Sequence, residues 1–389
     1  MSVNVVSLGC RMNLAESEQI QTMLSGERDL VVINSCAVTA EALRQTRQAI
    51  RRARRAQPHA RLLVTGCAAE IERDTIGAMP EVDGLIANAA KLDARAWNVP
   101  AHAPLTPRSS PHTRAFIAVQ NGCDHACTFC IIPQGRGPSR SRPIPDVLRE
   151  IAAHADSGVA EAVLTGVDLT SWGQDLGQSL GALVAAILRE TAIPRLRLSS
   201  VDGVELDEHL LDLLASEPRL MPHLHLSLQH GHDLILKRMK RRHSRADAIA
   251  LVAHLQSRRP EIAIGADIIA GFPTEDEAAH EANLSIIAEL GIVHGHIFPY
   301  SPRPGTPAAR MPQVPRATIS ARAAALRAAV ADQRAAWHTS LLGTPCQVLT
   351  ERDGTGHAPN FARIRLPEGT AAGHIIPITP TRIIEGMLA

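Results

Sequence analysis

Aromatic residues are scarce in this chain. Among its 389 residues are five phenylalanines, three tryptophans and a single tyrosine, Tyr300. A core built mainly on aromatic packing is therefore excluded, and the interior has to come from leucine, isoleucine, valine and alanine. The same scarcity limits any surface that binds nucleic acid by stacking bases on aromatic rings.

The chain also lacks an excess of charge and a long apolar run. Its 40 lysines and arginines balance 39 aspartates and glutamates, so an attraction for nucleic acid has to come from local patches. No apolar run approaches the roughly 18 residues of a membrane span. The N-terminus has no basic region before its short apolar run, which argues against a signal peptide. We therefore expect a cytoplasmic protein with no membrane partner.

The length predicts two or three domains with cores of their own. Residues 1–98 alternate short apolar runs with helical patterns at 15–24, 40–56 and 70–79, which is typical of a parallel α/β domain. Residues 99–112 hold four prolines and predict a linker. Residues 113–338 carry six further strand–helix units, which predict an open or closed barrel. Residues 339–389 have short apolar runs broken by glycine and proline, which predict a small β unit.

Seven cysteines are present, and six of them form two groups of three. An odd number in a long chain without a secretion signal argues against a disulfide framework. Cys10, Cys36 and Cys67 are far apart in the sequence, but each follows an apolar run that predicts a buried strand. Because ligands of open α/β sheets bind at the strand ends, these thiols are expected to converge. The seventh, Cys346, is interpreted as a small buried apolar residue.

The second group is compact, with Cys123, Cys127 and Cys130 in one stretch of eight residues. A structural zinc ion needs four nitrogen or sulfur ligands, which three thiolates do not supply. A cubane iron–sulfur cluster can use three cysteines and leave one iron open to a small molecule. The spacing therefore indicates an iron–sulfur cluster that binds a ligand directly.

Several segments resemble the radical S-adenosylmethionine (SAM) methylthiotransferase family. They are 8–13 (LGCRMN), 34–39 (NSCAVT), 65–67 (TGC), 123–133 (CDHACTFCIIP), 139–143 (SRSRP) and 298–307 (FPYSPRPGTP). The resemblance implies an N-terminal parallel α/β methylthiotransferase domain, a radical SAM partial (β/α)6 barrel and a small C-terminal β unit of the TRAM type. The domains are expected at 1–98, 113–338 and 339–389, with the linker at 99–112.

The resemblance also implies the cofactors, which are two [4Fe–4S] clusters and SAM. Cys123, Cys127 and Cys130 would bind the cluster that cleaves SAM, and Cys10, Cys36 and Cys67 would bind an auxiliary cluster that carries or activates sulfur. An unactivated C–H carbon has no useful acidity, so its thiolation requires a radical cofactor. We expect SAM contacts at the strand ends of the barrel, from Thr165, Gly166, Ser227, Gln229 and Asp267. The family often has Ser-Gly-Ser after the glutamine, whereas this chain has His230-Gly231-His232.

Members of the family modify adenosine next to the tRNA anticodon or an aspartate of a ribosomal protein. Segments 34–39, 130–142 and 298–311 most resemble the branch that acts on N6-threonylcarbamoyladenosine. The alternatives are N6-isopentenyladenosine in tRNA, the ribosomal-protein aspartate, and a non-catalytic electron carrier or RNA-binding protein. The expected partners are tRNA at its anticodon stem-loop, an electron donor and a sulfur source. A basic run at 237–245 and arginines near the second cysteine group predict RNA contacts at Arg136, Arg140, Arg142, Lys237, Arg238, Lys240, Arg241 and Arg242.

Overall fold

The N-terminal part of the computed structural model is a four-stranded parallel sheet with helices packed on it. The structure describes residues 3–99 and 113–389, so the predicted linker at 99–112 lies outside the described residues except for Val99. The sheet has the order β1-β2-β3-β4, and its core consists of Leu, Ile, Val and Ala side chains. Its strands are β1 (Asn4–Ser7), β2 (Leu30–Ser35), β3 (Arg61–Gly66) and β4 (Gly84–Leu85).

The helices of this part follow the strands as a parallel α/β arrangement requires. They are α1 (Arg11–Met23), α2 (Ala40–Ala56), α3 (Cys67–Ile71) and α4 (Arg73–Gly77). The Thr39 hydroxyl accepts a hydrogen bond from Ala42 N at 3.1 Å and begins α2, and Arg54 and Arg55 lie in its last turn. The single helix predicted at 70–79 is instead two short helices, because the backbone leaves the helical region at Glu72.

The central part is a curved sheet of six parallel strands. They are β5 (Arg114–Ala118), β8 (Glu161–Thr165), β9 (Arg195–Leu198), β10 (His223–Gln229), β11 (Ala263–Ala270) and β12 (Ile292–Pro299). They pair in that order, with β9 and β10 joined through Val201, whose N–H donates to His225 O at 2.9 Å. Among the described residues, no strand pairing joins β5 to β12, so the barrel is open on that side.

Between these strands lie the helices and one short ribbon. The ribbon is β6 (Gln120–Asn121) paired with β7 (Arg140–Ser141). The helices are α5 (Ile132–Arg136), α6 (Ile144–Asp156), α7 (Leu180–Glu190), α8 (Glu208–Ser216), α9 (Asp233–Arg238), α10 (Arg245–Arg258), α11 (Glu277–Glu289) and α12 (Arg316–Ser340). The core formed by these strands and helices is almost entirely Leu, Ile, Val and Ala, as the shortage of aromatics predicts. Trp172 is a buried exception.

The inside of the barrel is polar at its N-terminal end, where a parallel barrel usually has branched aliphatic side chains. Glu161 is fully buried and accepts hydrogen bonds from Arg197 at 2.9 and 3.2 Å. Arg114 Nε lies 3.1 Å from the same carboxylate. Burial alone would raise the pKa of Glu161, but the Arg197 guanidinium outweighs it and lowers the pKa to about 2.

A small C-terminal sheet covers this polar end, which we call the barrel floor. Arg195 donates to Gln347 O at 2.8 Å, and Arg114 pairs with Glu351 at 2.5 Å. The Phe361 ring lies 4.7 Å from the Arg197 guanidinium. The sheet contains β13 (Cys346–Thr350), β14 (Thr355–His357), β15 (Arg363–Arg365), β16 (Ile375–Ile378), β17 (Ile383–Ile384) and β18 (Met387–Leu388). The predicted fold class is thus confirmed, while the exact domain boundaries stay predictions.

The helices in the described parts of the chain include none with the length and apolar character needed to cross a bilayer.

Candidate active site

Three cysteines, the loop triad (Cys123, Cys127 and Cys130), occupy one loop at the C-terminal mouth of the barrel. The loop leaves the β6–β7 ribbon, where Cys123 N–H donates to Gly137 O at 3.1 Å. Thr128 anchors its middle, because its hydroxyl donates to Arg238 O at 2.8 Å and its carbonyl accepts from Ala308 N. The loop is therefore held from both sides of the barrel mouth.

Two of the three thiols of this loop have a polar neighbour that suits a bound cluster. The His125 N–H lies 3.4 Å from Cys123 Sγ, and Arg241 Nη1 lies 3.6 Å from Cys127 Sγ. Such donors to sulfur are typical of iron–sulfur sites. Burial raises the pKa of Cys123 to about 12 and that of Cys130 to about 11, so neither is a thiolate on its own. Because metal binding removes thiol protons, these residues fit a metal cluster better than a free thiolate nucleophile.

His125 places a positive charge beside the loop triad. Its Nε2 lies 2.8 Å from Asp168 Oδ2. That hydrogen bond raises the pKa of His125 to about 10, so the imidazole is protonated at neutral pH. Donor atoms of Cys123, His125 and Asp168 all lie within 4.8 Å of one another, so the Asp168–His125 ion pair lies directly beside the Cys123 sulfur.

The N-terminal triad (Cys10, Cys36 and Cys67) converges as the strand ends predict. The register pairs Ser7 with Asn34 and Asn34 with Thr65, so the three following cysteines lie at one sheet edge. A Cβ on Gly9, which has a φ of +95°, would lie 2.6 Å from Cys36 Sγ. Burial raises the pKa of Cys36, and the neighbouring Cys10 and Cys67 raise it further. Cys36 thus lies near both Cys10 and Cys67, and these three cysteines are the candidate ligands of a second cluster.

The two triads face each other through α3 and α5. A Cβ on Gly135 of α5 would lie 3.2 Å from the Cys67 Cβ. The Asn88 side chain donates to Gly135 O at 2.5 Å and lies 3.9 Å from Cys67 Sγ. The N-terminal sheet edge thus abuts the helix that follows Cys130.

Two of the predicted RNA contacts are corrected by the structure. Arg136 is buried, and its guanidinium donates to Glu16 at 2.9 and 3.1 Å and to Asn13 at 2.5 Å. Arg241 is 8% exposed and donates to Asp202 at 2.6 Å and to Ser227 O at 2.8 Å. Both charges are used inside the protein, so neither is available to a phosphate.

The other predicted RNA contacts lie at or near the surface. Arg142 pairs with Glu150 at 2.6 Å, and Arg238 donates to Thr274 Oγ1 at 2.7 Å. The residues that are exposed around the barrel mouth are Arg140, Lys237, Lys240 and Arg242, and of these Arg242 pairs with Glu205. RNA contact by any of these residues stays a prediction.

The residues predicted to contact SAM are brought to the barrel mouth from adjacent strands. Thr165 is buried, and a Cβ on Gly166 would lie 2.9 Å from Gln120 Oε1. Ser227 and Gln229 are half-buried at the end of β10, and Gln229 has a φ of +68°. SAM contact by these residues stays a prediction.

Asp267 is held by two histidines that the sequence reasoning did not assign to the site. His225 Nε2 and His296 Nδ1 both lie 3.1 Å from Asp267 Oδ1, and the donor atoms of all three residues lie within 4.8 Å of one another. The histidines alternate along the strand at positions 223 and 225 in β10 and at 294 and 296 in β12. That period of two on neighbouring strands was the available signal for a polar inner wall.

The sequence His230-Gly231-His232, which differs from the family pattern after Gln229, has its own contacts in this fold. His230 is fully buried, and its Nε2 lies 3.0 Å from Glu275 Oε2. The same Glu275 oxygen accepts a hydrogen bond from Gly271 N at 2.9 Å. His230 therefore ties the loop after β10 to the turn after β11.

A cysteine loop at the mouth of a partial parallel barrel defines a radical SAM enzyme, a class that uses SAM and a [4Fe–4S] cluster. Residues 117–284 match the sequence model of the radical SAM superfamily, and residues 2–87 match that of uncharacterized protein family UPF0004. The solved radical SAM methyltransferase TsrM of Kitasatospora setae superimposes with a TM-score of 0.55. The match covers 76% of this chain and 66% of TsrM at 16% identity, so it bears on the fold alone.

Curated relatives identify the family within this class. Threonylcarbamoyladenosine tRNA methylthiotransferase MtaB of Rickettsia prowazekii is 41% identical over 403 residues, covering 99% of this chain and 96% of the relative. A tRNA-2-methylthio-N(6)-dimethylallyladenosine synthase of Cereibacter sphaeroides is 32% identical, covering 90% and 87%. The MtaB of Thermotoga maritima is also 32% identical, covering 90% and 86%. The chain belongs to the radical SAM methylthiotransferase family, and the predicted enzyme class is confirmed.

Proposed function

We propose that this enzyme converts N6-threonylcarbamoyladenosine next to the anticodon of tRNA into its 2-methylthio derivative. The observation that carries the proposal is the 41% identity, over 99% of the chain, to a relative named for that substrate. The dimethylallyladenosine relatives reach 32–33% identity over 90–96% of the chain. A tRNA substrate also puts the proposed reaction in the cytoplasm.

The proposed chemistry replaces the C2–H bond of adenine by a C2–S–CH3 group. Cys123, Cys127 and Cys130 would hold the cluster that supplies an electron for cleavage of SAM to methionine and a 5′-deoxyadenosyl radical. That radical would remove the C2 hydrogen atom as 5′-deoxyadenosine, and the carbon radical would form the C–S bond with sulfide-level sulfur, which returns one electron to the donor. A second SAM would donate the methyl group to that sulfur and leave as S-adenosylhomocysteine. An external electron donor and a sulfur source complete the balance.

The second cluster is also part of the proposal, with Cys10, Cys36 and Cys67 as its ligands. Their closeness to α5, which follows Cys130, supports a role in presenting sulfur to the activated carbon. Arg241 donates to the sulfur of Cys127 and to the backbone of the β10 end, so it positions the loop triad against that strand. Cys36 and Cys67 are buried, whereas Cys10 is exposed and the loop triad is half-buried, so both triads remain open to a substrate.

The exposed cations at the barrel mouth support a tRNA partner. Arg140, Lys237, Lys240 and Arg242 are the predicted contacts that remain exposed there. We propose that they bind phosphates of the anticodon stem-loop, which makes tRNA affinity fall steeply as salt rises. The C-terminal sheet docks on the barrel floor through Arg195 and Phe361, so that part of its surface is not available to RNA.

The test is the nucleoside content of tRNA from a bacterial host that lacks its own methylthiotransferases. Expression of this chain should produce 2-methylthio-N6-threonylcarbamoyladenosine, detected by mass spectrometry of digested tRNA. Appearance of the isopentenyl analogue would keep the chemistry and overturn the proposed substrate. No new nucleoside from an enzyme loaded with iron would overturn tRNA methylthiolation.

Variants of single cysteines separate the two triads. Cys123→Ala should abolish cleavage of SAM to 5′-deoxyadenosine, whereas Cys36→Ala should retain cleavage and stop sulfur insertion. Cys346→Ala is the matched control, because this half-buried cysteine lies in β13 outside both triads. SAM cleavage by the Cys123→Ala enzyme would refute the assignment of the two clusters.

A further inference from the structure

The barrel is open between β5 and β12, and side chains of both strands line this gap. Phe116 lies on β5 at one edge of this gap, and His296 and Phe298 lie on β12 at the other. Phe298 is 39% exposed, and the side chain of His296 is 59% exposed. The gap is therefore accessible from outside and leads to the inner wall formed by His225 and Asp267.

Aromatic residues are concentrated here although the chain has few of them. Of the five phenylalanines in the sequence, Phe116 and Phe298 line the gap and Phe361 closes the floor beneath it. Flat, apolar edges of this kind suit a nucleobase, since every base has a face that can stack on an aromatic ring. Phe298 is the ring at this gap that is exposed to a base, since Phe116 packs against Met12 and Ala15 of α1.

Arg11 brings a positive charge into this gap. Its guanidinium carbon lies 5.9 Å from the centre of the Phe116 ring and 5.8 Å from that of Phe361. The Arg11 side chain forms no hydrogen bond or ion pair with residues 3–99 and 113–389. Because Arg11 directly follows Cys10, its backbone is tied to the N-terminal triad.

Among the described residues, the acids near Arg11 make their contacts with other side chains and form no direct ion pair with its guanidinium. Arg114 and Arg197 share the carboxylate of Glu161 on the barrel floor. Asp267 uses one oxygen for both histidines of the inner wall. Glu161 and Asp267 attract Arg11 from a distance but make their direct contacts with other residues, so the Arg11 guanidinium is available to a ligand.

We propose that Arg11 binds the carboxylate of the threonylcarbamoyl group while the adenine enters the gap between β5 and β12. This inference rests on the proposed function and names the residue that selects its substrate. The threonylcarbamoyl group ends in a carboxylate, whereas the dimethylallyl group is an uncharged hydrocarbon. A guanidinium in an aromatic gap gains a charge-assisted hydrogen bond from the first group and stays unsatisfied with the second.

The test compares anticodon stem-loop RNAs bound to the iron-loaded enzyme, with affinity measured by fluorescence anisotropy. The probes carry threonylcarbamoyladenosine, its neutral methyl ester or dimethylallyladenosine at the same position. The wild-type enzyme should bind the carboxylate probe about 10- to 100-fold more tightly than either neutral probe, the range of one charge-assisted hydrogen bond. Arg11→Gln should reduce that ratio to near one, and Arg11→Lys should keep most of it.

Arg140→Gln is the matched control, because this exposed arginine is outside the gap. Loss of a phosphate contact there weakens all three probes by the same factor and leaves the ratio unchanged. The ester probe needs no variant, so the test holds even if Arg11→Gln disturbs the cluster at Cys10. Equal wild-type affinity for acid and ester, or an unchanged ratio in Arg11→Gln, would overturn the role of Arg11 alone. Tighter binding of the dimethylallyl probe would overturn the proposed substrate as well.

Discussion

Replacement of Glu16 by glutamine should strongly destabilise this enzyme. Glu16 is a residue of α1 whose side chain is only 1% exposed. Its carboxylate accepts a hydrogen bond from Lys91 Nζ at 2.6 Å and from Arg136 Nη1 at 2.9 Å. Because Arg136 ends α5, this buried group of charges joins the N-terminal sheet to the helix after Cys130.

The magnitude follows from what the glutamine leaves behind. Burial alone would raise the pKa of Glu16, but the charges of Lys91 and Arg136 lower it, so the carboxylate is ionised in the folded protein. Removal of that charge leaves two buried cations close together without a counter-charge. Breaking a buried ion pair from one side costs about 3–5 kcal/mol. That is a large part of the roughly 5–15 kcal/mol that stabilises a typical domain.

The assay is urea unfolding of Glu16→Gln and the wild-type enzyme, followed by circular dichroism. Glu41→Gln is the matched control, because Glu41 also pairs with an arginine, Arg44, but both side chains are exposed. The control should match the wild type. The double change Glu16→Gln with Lys91→Met should be less destabilised than Glu16→Gln alone, since it removes one of the stranded charges.

The same variant carries a functional prediction. Weaker attachment of the N-terminal sheet to α5 should reduce sulfur insertion more than SAM cleavage, because cleavage needs only the loop triad. A loss of less than about 1 kcal/mol in Glu16→Gln would refute the reasoning, since a surface ion pair is worth that much at most. Equal losses of cleavage and insertion would refute the coupling of the two triads through this contact.

Three further predictions concern the barrel floor and the cysteine loop. As pH falls from about 4.5 towards about 2, protonation of Glu161 should remove its stabilising pair with Arg197. The free energy of unfolding should therefore fall less steeply with pH in Glu161→Gln than in the wild type. Gly122→Ala should lower the amount of bound iron, because at a φ of +78° its Cβ would lie 1.9 Å from a backbone oxygen. Gly158→Ala is the control, because a Cβ there meets open space, and its iron content should be unchanged. Phe361→Ala should cost about 2 kcal/mol, from three cation–π contacts of about 0.5–1 kcal/mol each, and should expose the C-terminal sheet to proteases. Unchanged acid unfolding, iron content or proteolysis in the respective variant would contradict each prediction.

Local patterns in the sequence were sufficient for most of the elements. The predicted helix at 40–56 has the bounds found in the structure, and the predicted alternation of strands and helices after residue 113 is present. Such elements depend on short-range periodicity and on caps such as Thr39, which one segment contains by itself. The convergence of the N-terminal triad was also predictable, because parallel strands put their ends at one sheet edge.

Local sequence patterns could not predict contacts between residues that lie far apart in the chain. Arg136 looked like an RNA contact because a positive charge near a cysteine loop is all that the sequence displays. Its burial depends on Glu16, which lies 120 positions away in another part of the fold. Charge in a sequence indicates which residues can pair, whereas only packing decides whether the partner is a carboxylate or a phosphate.

The sequence by itself determined the two cysteine triads, the parallel α/β class and the family, since these depend on residue types and short spacings. Only the tertiary structure decided that Phe361 from the C-terminal sheet closes the barrel floor and that Arg11 enters the gap. Residues 11 and 361 meet beside β5, where Arg11 lies over the Phe116 ring and Arg114 lies over the Phe361 ring. A contact of that kind is set by the curvature and opening of the sheet, which no single segment encodes.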